Sequence, residues 1–219
     1  MHLLPLVFFL LFKRNNIEKS LRVIFYYILY CIINEALGDY FQIIHFDNYL
    51  LLFRLFTIAE FSFFCIFYYY IVPSGMIKKT VFPIMGAFII LALVSYLLSS
   101  QSNSFDSISI GIESILIILM CIYYLFVQIK GTNNLFLYST SNFWIIISFL
   151  IYISGTFFLY IMAKYMFNDR SFQIQYDFIN SIFNILKNIL LSVAMLMKPA
   201  PDNNRLQKNN NWDDLLTYK

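Results

Sequence analysis

The stretch from Tyr49 to Val72 is apolar for long enough to cross a bilayer, yet it carries Arg54 and Glu60 inside that run. About 20 consecutive apolar residues form a transmembrane helix. Glu60 lies eleven residues after Tyr49, and at about 1.5 Å of rise per residue its carboxylate is roughly 16 Å deep, close to the middle of the bilayer. A charge there costs on the order of 3 kcal/mol, so Glu60 must take up a proton, face a wet cavity or pair with a cation on another helix.

The composition requires most of the chain to lie in lipid. Of its 219 residues, 60% are hydrophobic and 12% are charged, and the mean hydropathy is +0.70. This leaves too few polar residues to cover a soluble globule. The length accommodates about seven spans of roughly 20 residues and no soluble domain of ordinary size. The net charge of +3 is small, so it concerns membrane topology and indicates no nucleic-acid partner.

Seven apolar runs predict an all-α fold, a polytopic transmembrane helix bundle with a short first span. The first run, Leu3 to Phe12, is only about 15 Å long as a helix, so we expect that it is tilted or partial, or that the true start lies upstream. It lacks the basic n-region and small-residue cleavage site of a signal peptide. Pro73 and Pro83 are predicted near span ends, where helices tolerate proline. The other spans are predicted at 21–37, 49–72, 81–98, 108–127, 143–162 and 178–197.

Residues 1–197 therefore form the predicted bundle, and residues 198–219 differ sharply in composition. They read KPAPDNNRLQKNNNWDDLLTYK, and this Asn-rich, Pro-containing segment predicts a disordered cytoplasmic tail. Within it, Trp212 to Leu216 is a candidate docking peptide.

Lys and Arg residues predict the orientation, because cytoplasmic loops collect them. Eleven lie after the first, third, fifth and seventh spans, and only Lys164 and Arg170 lie in the opposite loops. We predict a cytoplasmic C-terminus and a location in the bacterial inner membrane. An interfacial aromatic belt explains the aromatic residues at span ends, namely Trp144, Tyr68, Tyr69 and Tyr70.

Lys187 lies about nine residues into the last predicted span, so it is also near the middle of the bilayer. Its depth matches that of Glu60, and we predict that these opposite charges interact across the third and seventh helices. Asn180, Asn184 and Asn188 follow one another at i, i+4 spacing. This spacing places them with Lys187 on one polar stripe that faces the bundle.

The sixth span carries a comparable stripe, in which Gly155 allows close approach of a neighbouring helix. The stripe consists of Ser148, Tyr152, Thr156 and Tyr160, and the second span adds Tyr27, Tyr30 and Asn34. Two interpretations of this polar interior stay open. It either sets the register of the helices or binds a ligand or an ion.

Arg54 and Glu60 are six residues apart, about 600° of rotation, so they point to different faces of their helix. Arg54 lies near the outer surface, where Glu35, Asp39 and Glu113 are its candidate partners. For Arg54 and Glu113 we favour a purely structural interpretation, since long side chains at that depth can extend to the interface.

Metal binding receives no support from the sequence. The cysteines fall singly in three apolar runs and are predicted to be small core residues rather than ligands or disulfides; they are Cys31, Cys65 and Cys121. His45 and Asp47 are interpreted as solvated loop residues, because the only other histidine is His2. We therefore predict no cofactor.

Three stretches resemble a group of seven-pass membrane proteins, mostly from Bacteroidota, that is similar to membrane regions found ahead of bacterial histidine kinase domains. They are RLFTIAEF at 54–61, NFWIIISFLIYISGTFFLYI at 142–161 and NSIFNILKNILLSVAML at 180–196. The resemblance implies a signalling role, with Glu60, Asn184, Lys187 and Asn188 among its characteristic polar positions. The chain departs from it in its short first span and in the lack of a kinase domain after Lys198, so its output would pass through a partner.

Two functions from different classes are predicted. The first is a small sensor or accessory subunit that binds a small or lipophilic ligand within the bundle and acts through a membrane or cytoplasmic signalling partner. The second is a small-molecule or proton-coupled transporter, against which stand the absence of repeats and of Gly or Pro interruptions in mid-span. The predicted ligand-binding or intramembrane polar residues are Glu60, Lys187, Asn184, Asn188, Tyr152, Thr156, Arg54 and Glu113.

Two further functions are disfavoured. A retinal-type photoreceptor needs a lysine such as Lys187 opposite a carboxylate, but the Asp and Trp patterns expected of its pocket are missing. An enzyme is not predicted, because the spans contain no HExxH, GxSxG or paired Asp motif.

Overall fold

The fold is a bundle of α-helices, as the apolar runs predicted. The computed structural model describes residues 3–12, 18–44, 50–72, 75–98, 107–130, 137–166 and 169–197. Within these ranges the chain forms seven α-helices and a short 3₁₀ helix at Leu137–Ser139, without a β-strand. The α-helices are α1 (Leu3–Phe12), α2 (Lys19–Ile43), α3 (Leu50–Ile71), α4 (Met76–Leu98), α5 (Ser107–Lys130), α6 (Ser141–Met166) and α7 (Arg170–Leu196). Outside the described residues lie the tail at 198–219, His2, His45, Asp47 and Pro73.

Six of these helices, α2 to α7, are long and apolar enough to cross a membrane. With ten residues, α1 is only about 15 Å long, which is half the thickness of the hydrocarbon core of a bilayer, about 30 Å. Large apolar side chains point outward on the spanning helices, among them Leu97, Ile129 and Phe158. Such a surface is stable only in lipid. The chain is therefore a multi-pass integral membrane protein.

Several helices are longer than the sequence predicted, α2 and α7 most of all. α2 continues to Ile43, six residues beyond the predicted end at Leu37, and α7 begins at Arg170, eight residues before Phe178. Hydropathy detects only the part of a helix that lies in hydrocarbon, whereas backbone hydrogen bonding continues into the polar interface. Asp169 marks the start of α7 as its N-cap, because its side chain accepts a hydrogen bond from the backbone N–H of Ser171 at 2.9 Å.

The predicted position of Pro83 at a helix end is wrong. Because α4 begins at Met76, Pro83 is its eighth residue and lies inside the helix. Proline has no N–H, so it cannot bond to the carbonyl of Lys79 one turn earlier. The error arose because Lys78 and Lys79 interrupt the apolar run without interrupting the helix.

The helices alternate in direction, which defines two sides of the bundle. We call the side where α3, α5 and α7 end the Met197 side and the opposite side, where α7 begins, the Arg170 side. The Ser141 hydroxyl at the start of α6 donates a hydrogen bond to the Met197 carbonyl at 3.0 Å. α6 packs along both α5 and α7, α2 packs along α3, and α1 contacts α2 and α7. The Phe9 ring of α1 stacks on Phe25 of α2 with centroids 4.5 Å apart.

The bundle interior is largely aromatic. Phe149 of α6 lies 5.1 Å from Phe64 of α3 and 5.4 Å from Tyr27 of α2, measured between ring centroids. Tyr68 is buried in this core, so an interfacial belt does not explain it, whereas Tyr70 is exposed as a belt residue would be. The cysteines are buried and unbridged, as predicted: Cys31, Cys65 and Cys121.

Close packing of α6 on α7 depends on Gly155. The ring of Phe183 from α7 occupies the space where a side chain at this position would begin. The prediction that Gly155 permits close helix approach is confirmed, and this approach brings the polar stripes of the two helices together.

Candidate functional site

The centre of the bundle contains a hydrogen-bonded group of three side chains from three helices. The Tyr27 hydroxyl donates to Oε1 of Glu60 at 2.6 Å, and the Lys187 ammonium donates to the Tyr27 hydroxyl at 3.0 Å. The direct distance from Nζ of Lys187 to Oε1 of Glu60 is 3.8 Å. The predicted contact between these charges is therefore present, with a tyrosine hydroxyl bridging them. We call these residues the Tyr27 bridge.

Tyr152 of α6 completes the surroundings of the ammonium group. Nζ of Lys187 lies 3.8 Å from the centroid of the Tyr152 ring, close enough for a cation–π interaction. The bridge thus ties α2, α3, α6 and α7 together through one cation. Glu60 is 5% exposed and Lys187 only 1%, so contacts with these protein groups replace the water that both charges would otherwise bind.

The four side chains lie at a common depth in the bundle. Glu60 is eleven residues before the end of α3 and Lys187 is nine before the end of α7, which places them about 16 and 14 Å from the Met197 side. Tyr27 is eight residues after the start of α2 and Tyr152 eleven after the start of α6, or about 12 and 16 Å from the same side. All fall within roughly one helical turn, so a compact cluster forms without distortion of the helices.

A row of polar side chains extends from Lys187 toward the Arg170 side along α6 and α7. The hydroxyls of Tyr152 and Tyr160 are 3.1 Å apart, and the Tyr160 hydroxyl donates to Oδ1 of Asn180 at 3.3 Å. Asn180 and Tyr160 are half-buried, unlike the sealed Tyr27 bridge. The row thus connects the buried cation to side chains that are partly exposed at the surface of the bundle.

The other asparagines of α7 lie beside Lys187. The Asn188 amide donates to the Asn184 carbonyl at 2.9 Å and to the Asn184 side-chain oxygen at 3.3 Å. Asn188 is buried and Asn184 half-buried. The amides therefore bond mainly along their own helix, and Asn184 presents polar atoms near the boundary of the sealed region.

Thr156 uses its hydroxyl within α6. It donates to the Tyr152 carbonyl at 2.9 Å, and Ser148 similarly donates to the Ile145 carbonyl at 2.7 Å. Such bonds satisfy a buried hydroxyl inside its own helix. The Thr156 hydroxyl is therefore satisfied by the backbone of α6.

Arg54 and Glu113 were expected to extend toward the membrane interface, but in the structure Arg54 contacts an aromatic ring and Glu113 is buried. The Arg54 guanidinium carbon lies 5.0 Å from the Tyr96 ring centroid of α4, and an acidic partner for it stays a prediction. Glu113 is 3% exposed, so the expectation that it extends to the interface is wrong. α5 turns this residue inward, and Oε1 of Glu113 has no hydrogen-bond partner within the described ranges.

The bridging role of Tyr27 was missed by reasoning from the sequence. Tyr27 was recognised as part of the polar lining, but hydropathy gave no reason to place it between Glu60 and Lys187. The depth of Tyr27 could have indicated this role. The start of α2 and the end of α7 lie on the same side, and Tyr27 and Lys187 are nearly the same number of residues from those two helix ends. Among the described residues, the structure shows no cluster of three or more His, Cys, Asp or Glu side chains that could hold a metal ion.

Comparison with protein-family models, with curated proteins and with solved structures finds no match for this chain. The class of protein therefore follows from the fold and the surface alone, which define a multi-pass integral membrane protein with a charged centre.

Proposed function

We propose that the protein is a small membrane sensor or accessory subunit that binds a small or lipophilic ligand within the helix bundle and acts through a partner. The observation that carries this proposal is the continuity between the half-buried polar row at Tyr160 and Asn180 and the sealed Tyr27 bridge. A ligand that binds Tyr160 is separated from the Lys187 cation only by two side chains, because Tyr160 bonds to Tyr152 and the Tyr152 ring contacts the ammonium. Within the bridge, Lys187 of α7 in turn contacts Tyr27 of α2 and Glu60 of α3, and it also lies on Tyr152 of α6.

The chemistry of the row favours a neutral polar head on an apolar body. Asn180 and Tyr160 offer amide and hydroxyl groups, while the ammonium of Lys187 and the carboxylate of Glu60 already satisfy each other through Tyr27. The hydrogen bond from Tyr160 to Asn180 is long, at 3.3 Å, so a ligand hydroxyl can replace it at low cost. Such a replacement shifts Tyr160 and, through the bond between the two hydroxyls, the Tyr152 ring that lies on Lys187.

Communication with a partner requires an element with two arrangements. The Tyr27 bridge is proposed to be this element, because a shift of Tyr152 changes the surroundings of Lys187 and so the bonds to α2 and α3. The partner is proposed to be a membrane or cytoplasmic signalling protein. The orientation predicted from the loop charges, with a cytoplasmic C-terminus, favours such an output. A C-terminal reporter fusion active only outside the cytoplasm would contradict it.

A photoreactive long-chain alcohol tests the ligand site directly. The purified protein in lipid nanodiscs is labelled with this probe, with and without an excess of the unreactive alcohol, and the labelled peptides are mapped by mass spectrometry. We expect saturable labelling near Asn180 and Tyr160, reduced by Asn180→Leu and unchanged by Gln175→Leu, an exposed position on the same helix. Labelling that does not saturate and follows the lipid-facing residues would contradict the proposal.

The alternative of a proton-coupled carrier rests on the interior position of Pro83 in α4 together with the ionisable pair at the centre. α4 is continuous through Pro83, but the missing backbone hydrogen bond lets a helix kink, and broken helices are common in transporters. Proteoliposomes with an internal pH indicator distinguish the two functions. Proton movement that follows addition of the alcohol favours the carrier, and saturable labelling without proton movement favours the sensor.

A further inference from the structure

Glu113 is a buried acid that the Tyr27 bridge does not use. It is the seventh residue of α5, which places it about 26 Å from the Met197 side. By the same count Tyr160 of α6 is about 28 Å and Asn180 of α7 about 24 Å from that side. Glu113 therefore lies level with the half-buried end of the polar row, on a helix that packs against α6.

The surroundings of Glu113 contain a shortage of positive charge. Its carboxyl interacts electrostatically with Glu60 of α3 and Lys187 of α7. It also lies close enough to Cys65 of α3 and Tyr160 of α6 to interact electrostatically with their ionisable groups. α4 adds no titratable group to this set within the described part of the chain. Two carboxyl groups thus share one ammonium, and that ammonium is already engaged by the Tyr27 bridge.

We propose that Glu113 is a proton-binding site of the bundle and that its loss of a proton weakens the Tyr27 bridge. A buried carboxylate needs a cation or several hydrogen-bond donors, and Oε1 of Glu113 has no hydrogen bond within the described ranges. A proton satisfies this requirement and needs no cavity. The inference does not depend on the alcohol-binding role proposed above.

The proton reaches the site from the Arg170 side. Glu113 lies six residues after the start of α5, about 9 Å from the Arg170 side, so this side gives the shorter path for a proton between water and the carboxyl group. When the proton leaves Glu113 for water, the carboxyl gains one negative charge. This charge competes with Glu60 for Lys187, and the bonds of Lys187 to Tyr27 and Tyr152 weaken as a consequence. The proton thereby controls how α7 is tied to α2 and α3.

The glutamate content of the chain makes this proposal directly measurable. The glutamates occupy only four positions, 18, 35, 60 and 113. Protein labelled with ¹³C at the glutamate δ-carbon therefore gives four carboxyl signals by nuclear magnetic resonance in nanodiscs. The chemical shift of each signal distinguishes a neutral acid from a carboxylate.

We expect one neutral-acid signal at neutral pH that is missing from Glu113→Gln. Glu113→Asp also loses the labelled signal while it keeps an acid, so it serves if the glutamine variant does not fold. Glu35→Gln removes one glutamate from an exposed position of α2 and should remove only a carboxylate signal. Four carboxylate signals in the wild type, or a neutral signal that persists in both Glu113 variants, would overturn the proposal.

A titration tests the coupling to the Tyr27 bridge. As the pH rises, the Glu113 signal should change to that of a carboxylate, and the Glu60 signal should move over the same pH range. In Glu113→Gln or Glu113→Asp the Glu60 signal should lose this movement or shift its range. A Glu60 signal that behaves identically in the wild type and in these variants would overturn the coupling.

Discussion

Replacement of Glu60 with Gln is expected to destabilise the bundle because it leaves the Lys187 ammonium buried without its counter-ion. Removal of one partner from a buried ion pair costs about 3–5 kcal/mol. Lys187 keeps the Tyr27 hydroxyl at 3.0 Å and the Tyr152 ring at 3.8 Å, and a desolvated cation–π contact contributes about 2 kcal/mol. We therefore expect a loss near the lower end, about 3 kcal/mol in the free energy of unfolding.

Replacement of Lys187 with Met should cost less. Glu60 keeps its 2.6 Å hydrogen bond from Tyr27 and can become neutral by taking up a proton. Methionine has a similar length and fills the space between the rings. We expect a loss of about 1–2 kcal/mol, typical of a substitution that removes bonds without creating an uncompensated charge.

The double variant Glu60→Gln with Lys187→Met removes both charges and should be more stable than Glu60→Gln alone. Independent effects would sum to about 4–5 kcal/mol, whereas we expect the double variant to lose only about 2 kcal/mol, a coupling of at least about 2 kcal/mol. Unfolding in mixed detergent micelles gives the free energies, and thermal stability in detergent gives an independent ranking of the four proteins.

Asp39→Asn provides the matched control, since Asp39 is an exposed acid on α2. Alone it should change stability by less than about 0.5 kcal/mol, and combined with Lys187→Met it should be additive. If the Glu60 and Lys187 substitutions are also additive, the two side chains do not interact in the folded protein. The Tyr27 bridge would then be refuted as an energetic unit.

Two further predictions concern the helices around the bridge. Tyr27→Phe removes the hydroxyl that bonds both charges and should cost about 2 kcal/mol in the free energy of unfolding. The control Tyr30→Phe, in a half-buried ring stacked on Phe56, should change this free energy by less than about 0.5 kcal/mol. Equal losses would show that the hydroxyl of Tyr27 has no special role. Gly155→Ala places a methyl group where the Phe183 ring lies and should cost about 1–3 kcal/mol through overpacking. At Gly111 the nearest neighbouring atom, Cγ1 of Ile161, would be 3.9 Å away, so Gly111→Ala should be neutral or stabilising by up to about 1 kcal/mol, and a destabilisation as large as that of Gly155→Ala would contradict this packing.

The number of helices and the contact between Glu60 and Lys187 were predictable because both depend on position along the chain. Because a helix rises by a fixed distance per residue, the position of a residue within an apolar run gives its depth in the membrane. These positions predicted the same depth for Glu60 and Lys187. Helix ends were less predictable. Asp39 and Asp177 lower the hydropathy of their segments, yet both lie within helices because the backbone hydrogen bonds continue beyond the hydrocarbon.

The bridging place of Tyr27 and the burial of Glu113 were not predictable in the same way. Both depend on the rotation of α2 and α5 about their axes and on which helix lies opposite. A helix that is apolar on most faces gives little information about its rotation, since almost any face tolerates lipid. The long side chain of Glu113 could reach the interface from one rotation and the interior from another.

The sequence by itself determined a membrane bundle with charges near its centre, because a run of apolar residues has no other stable environment and a charge inside it has a definite depth. The tertiary structure decided which partners those charges have. Gly155 lets α7 approach α6 closely enough for the Lys187 ammonium to lie on the Tyr152 ring, and the rotation of α2 places the Tyr27 hydroxyl between the two charges. Depth is encoded locally by 1.5 Å per residue, whereas rotation and partner choice arise only when all the helices pack together.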